Sequence, residues 1–219
     1  CLCSAGGSPR FDMSLNPVST LLKKTVACWI FSQSSGDVFL NNNNEGVRMN
    51  ASTIAMIDSL KNRDEDFEWY PTTKEIINTI KLDYSIQQKD KRHNSDDSPS
   101  VLDCGAGDGR VLEALTDGKK YAIEKARPLL NDLSKDIFVV GTDFNTQTLI
   151  DKRVSILYSN PPYKYYHQWA TKIIQEANAG FIYLVLPSRW QNSVEIKDLI
   201  KLRNAEFEVI GHFDFLAAD

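Results

Sequence analysis

The sequence predicts an α/β protein built on a doubly wound, mostly parallel sheet. Three observations carry that expectation. Strand-like and helix-like stretches alternate from residue 100 to residue 213. Residues 181–186, Phe-Ile-Tyr-Leu-Val-Leu, form a nearly continuous apolar run, as a central strand buried on both faces requires. A glycine-rich turn, Gly105-Ala106-Gly107-Asp108-Gly109, joins one strand to the helix after it, the place where such sheets receive a ligand.

The elements follow in order. Residues 1–60 are poorly defined: the start lacks an initiator Met and reads as upstream sequence, and Asn41 to Asn44 is a four-Asn loop signal. Residues 52–60 carry a short helical pattern on Ile54, Ile57 and Leu60, and the charged residues 61–66 predict a turn. Thr72 followed three residues later by Glu75 is a capping-box signature, with Ile76, Ile77 and Ile80 as the apolar stripe of the helix behind it. Residues 87–100 are polar and read as an exposed loop. Strands are then expected at 100–103, 120–124, 137–143, 154–159, 181–186 and 207–213, and helices at 110–115, 127–133, 165–177 and 194–202. There are no internal repeats.

Composition narrows the function classes. The chain has 219 residues, 42% of them hydrophobic, which supports one sizeable core and a prior of one to two domains. No apolar run approaches the ~20 residues of a membrane span, and no signal peptide is recognisable. The four cysteines, Cys1, Cys3, Cys28 and Cys104, lack zinc-site spacing and read as reduced thiols of a cytoplasmic protein. The net charge of −4 counts mildly against a nucleic-acid partner, although placement of the basic residues matters more than their sum.

The glycine turn is neither of the common phosphate cradles. A dinucleotide fingerprint would put its third glycine at Arg110, and no Gly-Lys-Ser/Thr follows for a P-loop. Asp103, two residues before the first glycine, suits a cationic or amine-bearing ligand rather than a pyrophosphate. Glu124, at the next strand end, can accept from both hydroxyls of a ribose. Asp143 can accept from an adenine amino group, and Phe144 offers a stacking face. Each acid alone is as well explained as a solvated strand-end residue; the three in order describe a nucleoside pocket.

Ser159 leads into Asn160-Pro161-Pro162-Tyr163 at the end of another strand. A proline-rich loop would merely stop a strand, and that does not account for the joint choice of Asn, two prolines and an aromatic on the ligand edge. An amino nitrogen conjugated to a planar system is a poor nucleophile, because its lone pair is delocalised. Two acceptors aimed at its protons return density to nitrogen. The Asn160 side-chain oxygen is one, and the Pro161 carbonyl, held by the fixed φ of proline, is the natural other. Tyr163 can stack on a base flipped out of a duplex.

These residues together resemble the class I S-adenosyl-L-methionine-dependent methyltransferases, in which the D-x-G-x-G turn holds the amino-acid part of the cofactor and the next two acidic strand ends hold ribose and adenine. The stretch from residue 67 to 213 looks like the adenine-N6 DNA methyltransferase group of phages, plasmids and bacterial orphan or restriction-modification enzymes, and Phe67-Glu68-Trp69-Tyr70-Pro71-Thr72 is similar to that group's segment before the glycine turn. The resemblance implies a methyltransferase catalytic domain over 61–219, with a Rossmann-like fold. It implies a cofactor site of Trp69, Tyr70, Thr72, Asp103, Cys104, Gly105, Gly107, Glu124, Lys125, Asp143 and Phe144, and a catalytic set of Asn160, Pro161, Pro162 and Tyr163. The partner it implies is DNA with a flipped adenine.

Lys164, Tyr166, Arg189 and Trp190 are candidates for the substrate side. A basic-aromatic cluster after the tetrapeptide suits a nucleic-acid-facing loop, and Arg189 suits a phosphate with Trp190 beside the base. A helix start with inward-packed tyrosines, and a simple turn with a buried Trp, explain the same residues equally well. No metal is expected, and His167 is not required as a base, because the proton can leave to water after methylation. Lys91-Arg92-His93 reads as a solvated charge run.

The pattern departs from the family in two places. No target-recognition domain of the usual about 100–150 residues is present, and the last strand of the class I sheet is missing from the pattern, to be completed beyond Asp219, by a second copy or by a partner subunit that supplies recognition. The same tetrapeptide serves protein-glutamine and RNA-adenine methyltransferases, and an inactive binding module of the same fold is a third alternative.

Overall fold

The computed structural model describes residues 27–33, 55, 70–89 and 98–213. Seven strands build one sheet: β1 (Ala27–Gln33), β2 (Val101–Cys104), β3 (Lys120–Ile123), β4 (Ile137–Gly141), β5 (Arg153–Ser159), β6 (Asn178–Pro187) and β7 (Glu206–Phe213). Their order is β4-β3-β2-β5-β6-β1-β7, and every pairing is parallel. Among the described residues five helical spans accompany them, α1 (Lys74–Lys89), α2 (Arg110–Leu115), α3 (Arg127–Asp132), α4 (Tyr166–Glu176) and α5 (Val194–Leu202), and Ala55 is helical as well. The expected doubly wound, Rossmann-like α/β architecture is therefore present.

Side-chain alternation along the strands sorts the core into two layers. Val101, Ile156, Phe181, Tyr183 and Val185 pack with Ile76, Ile77 and Ile80 of α1 and with Val111 and Leu112 of α2. Their neighbours Leu102, Cys104, Leu157, Ile182, Leu184 and Leu186 face the other way, onto Ala170, Ile173 and Ile174 of α4 and Ile196 and Ile200 of α5. The apolar run of β6 is buried on both faces because helices cover both.

The structure corrects several boundaries. Thr72 does not cap α1: the helix starts at Lys74, and it is Thr73 Oγ1 that accepts from the Ile76 N–H at 3.4 Å. The capping box fails because, with Thr73 as the cap, Glu75 falls at the second helical position and Ile76 at the third, while the Thr72 hydroxyl is engaged 2.7 Å from the Tyr158 hydroxyl. The helix continues through Lys89, three residues into the expected loop. The helical pattern at 52–60, apart from Ala55, the four-Asn run, Trp69 and Lys91-Arg92-His93 lie outside the described residues.

The position beside β6 is not empty. Strand β1, from the segment without an assignment, runs parallel between β6 and β7. Its sequence, Ala-Cys-Trp-Ile-Phe-Ser-Gln, carries the aromatic and β-branched residues of a strand.

Candidate active site

From β2 the chain winds outward through β3 and β4; from β5 it continues to the other side through β6. The reversal lies between β2 and β5, and the crevice at their C-terminal ends is the ligand position of an open α/β sheet. A cavity of about 500 Å³ opens there. The two strand ends are tied together below it, where Ser159 Oγ donates to the Cys104 carbonyl at 2.7 Å.

The glycine turn forms one wall. Gly105, Gly107 and Gly109 all adopt positive φ, at 87°, 57° and 78°, the left-handed region that a side chain makes costly. The turn folds back on β3, with the N–H groups of Gly105 and Ala106 both donating to the Ile123 carbonyl. Asp103, just before it, is 1% exposed and lines the cavity. Its Oδ1 meets no hydrogen-bond donor among the described residues. Burial pushes this carboxyl well above the usual range, and the neighbouring Glu124 and Asp108 push it further. A buried acid without a donor is costly, and an ammonium group is the chemistry that relieves it.

Glu124 has a different task. Its Oε2 accepts from the Gly107 N–H at 2.7 Å, and its Oε1 from the N–H groups of Lys125 and Ala126 at 2.8 and 2.7 Å. Burial raises its pKa, while these donors act in the opposite sense. The carboxylate shapes the turn first, and Glu124 also lines the cavity, with acceptor capacity beyond these three bonds. Further along, Asp143 accepts from the Asn145 N–H at 3.0 Å and lies 3.6 Å from the Lys125 ammonium. On the cavity wall Asp108 grips Arg110 through the guanidinium fork, at 2.7–3.1 Å.

Asn160 leaves the end of β5 on the opposite side. Its Nδ2 donates to the Tyr70 carbonyl at 3.0 Å. A carbonyl only accepts, so the amide must turn its NH₂ toward Tyr70 and its Oδ1 the other way. The Pro162 carbonyl is occupied by the Tyr165 N–H at 2.9 Å, whereas no hydrogen bond from the described residues reaches the Pro161 carbonyl. Asn160 and Pro162 line the cavity, and Pro161 does not.

No family model matches this chain. No curated protein matches it either. Among solved structures it is similar to a chain of the complex between the Haloferax volcanii Trm112 methyltransferase activator and a proposed methyltransferase, at 16% identity and a TM-score of 0.39, over 72% of this chain and 75% of that one. A likeness at that level says nothing of activity.

The cavity brings together Tyr70, Thr72, Asp103, Gly105, Glu124, Lys125, Asp143, Phe144, Asn160, Pro162 and Lys164. Other expectations change. The Cys104 side chain is fully buried on the α4 and α5 side, because alternation points it away from Asp103, and burial pushes its thiol well up. Gly107 contributes through its N–H to Glu124. Phe144 is 3% exposed and does not offer an open stacking face: Trp169 covers it, with centroids 3.9 Å apart and planes 17° apart. Trp169, which the sequence showed only as part of a helix, lines the cavity and closes over Gly105; its place four residues from Tyr165 on the helix after the tetrapeptide is the signal that could have found it.

Trp190 is 1% exposed and sits in the core, edge-on to Phe207, so it is not beside a base. Tyr163 is 37% exposed at the rim, with Arg189 over its ring and over Tyr166. His167 is turned away, 2.9 Å from the Ser193 hydroxyl. Among the described residues no group of three or more His, Cys, Asp and Glu side chains could hold a metal ion, and no helix is long and apolar enough to cross a membrane.

Proposed function

We propose that the chain is an S-adenosyl-L-methionine-dependent methyltransferase acting on a planar amino nitrogen, with the N6 of adenine in DNA as its acceptor. The observation that carries this reading is the Asn160 amide, pinned by the Tyr70 carbonyl so that its oxygen is left to accept from the substrate. The cavity fits the cofactor by its own chemistry: Asp103 Oδ1, which meets no donor among the described residues, suits the methionine ammonium, and the Glu124 carboxylate suits a ribose hydroxyl.

When bound, the cofactor supplies an electrophilic methyl on a sulfonium and leaves as the neutral thioether. The residues do the rest. Asn160 Oδ1 and the Pro161 carbonyl accept from the two amino hydrogens and raise electron density on nitrogen. The nitrogen forms the new bond to carbon as the carbon–sulfur bond breaks, and one amino proton passes to water. Tyr163 gives the flipped base a ring to lie on, with Lys164, Tyr166 and Arg189 around it. A second copy or a partner subunit is a further partner in this reading, and the setting expected is cytoplasmic.

The same two acceptors also suit a glutamine amide, so the test offers both. Labelled cofactor is incubated with unmethylated DNA, RNA or a glutamine-bearing release-factor protein, using wild type and Asn160→Ala. Transfer to DNA that Asn160→Ala loses supports the reading. Transfer only to another acceptor, or cofactor binding with no transfer, overturns the DNA assignment.

A further inference from the structure

Arg189 stands at the C-terminal edge of β6, in a short 3₁₀ turn (Ser188–Asn192) fixed from behind by the buried Trp190. From that anchor its guanidinium carbon lies 4.1 Å from the centroid of the Tyr163 ring and 4.9 Å from that of Tyr166. Its Nη2 donates to the Tyr163 carbonyl at 3.1 Å. One side chain therefore holds both the ring and the backbone of the last residue of the tetrapeptide. Asn160, at the other end, is held by Tyr70. The loop is pinned at both ends, by two segments that meet only in the folded chain.

The chemistry of the pin matters. Tyr163 is more than a third exposed, so packing covers its ring only in part. A guanidinium is planar: it can lie against aromatic faces and still donate to a carbonyl. An ammonium presents a point charge and satisfies one of these contacts at the expense of the other.

We infer that Arg189 is a positioning residue, which sets the Tyr163 ring to receive the planar acceptor group rather than contacting the substrate's phosphate. This rests on the reading of Tyr163 as the stacking ring, but holds for any planar acceptor. Steady-state transfer is measured for wild type, Arg189→Ala and Arg189→Lys, across a salt series, with S-adenosylhomocysteine affinity measured alongside.

Arg189→Ala is expected to lower kcat about 10- to 100-fold, the scale of a misplaced reacting group. KM and its salt dependence stay near wild type. Affinity for S-adenosylhomocysteine also stays, because Arg189 does not line the cavity. Arg189→Lys recovers only part of kcat. A raised KM with kcat kept and a flatter salt dependence would make Arg189 a phosphate contact and overturn the inference, as would unchanged kinetics. If Arg189→Ala loses S-adenosylhomocysteine affinity and so fails to fold, Arg189→Lys decides: full kcat overturns the inference, reduced kcat supports it. If wild type methylates a glutamine substrate and not DNA, the DNA reading fails, and the same comparison on that substrate still decides Arg189.

Discussion

The side-chain NH₂ of Asn160 donates to the main-chain carbonyl of Tyr70, 90 residues earlier, at 3.0 Å. That contact joins the segment before α1 to the loop after β5 and decides which end of the amide is turned away from Tyr70. Asn160→Asp tests it: a carboxylate keeps an acceptor oxygen but sets a second one against the Tyr70 carbonyl. We expect kcat to fall about 100- to 1,000-fold, the scale of losing a preorganised hydrogen-bonding group. S-adenosylhomocysteine affinity, measured by calorimetry, should change little.

Burial of the Asp103 carboxyl costs stability at neutral pH. Its folded-state pKa is raised, so the proton is held more tightly in the folded protein. The stability it contributes is therefore present below the unfolded carboxylate pKa of about 3.9 and is lost as pH rises from there toward the raised value. Asp103→Asn removes this dependence. Without ligand, its melting temperature should exceed that of wild type at neutral pH, by a margin that shrinks toward pH 4. Its cofactor affinity should be weaker.

Trp169 lies against Phe144 and over Gly105. Trp169→Ala should weaken S-adenosylhomocysteine binding about tenfold, the worth of an aromatic contact plus its buried area, and Trp169→Phe should keep most of it. Fluorescence of the wild-type chain should be quenched by the ligand, and far less so in Trp169→Phe.

Gly105 is the turn glycine that a side chain would set against Trp169. A methyl group there must enter the left-handed region at φ 87° and meet the Trp169 ring at 3.3 Å. Gly105→Ala should cost about 1–2 kcal/mol of stability from the backbone alone, read as a lower urea midpoint, and should weaken cofactor binding as Trp169 is displaced.

Legibility followed the range of the interactions. The sheet was readable because β6 is apolar throughout and the later strands alternate with helices of ordinary length. The acids at 103, 124 and 143 were readable because strand ends on one edge converge by topology. Contacts between distant segments were not. Nothing near Thr72 shows that its hydroxyl will find Tyr158, which is why the helix cap moved to Thr73. The pairing of Trp169 with Phe144, and burial of Trp190 behind Arg189, likewise arise only when β4, α4 and the end of β6 come together. Strand β1 carried a local signal, but its place between β6 and β7 depends on pairing across most of the chain.

In the proposed reaction Asn160 and the Pro161 carbonyl activate an adenine amino group. The most direct measurement is to incubate unmethylated DNA with S-adenosyl-L-methionine and the chain, digest to nucleosides, and weigh the products by mass spectrometry. Wild type should yield N6-methyl-2′-deoxyadenosine, and Asn160→Ala none above background. Methylation at another position of the base, or equal yields from wild type and Asn160→Ala, would contradict this reading.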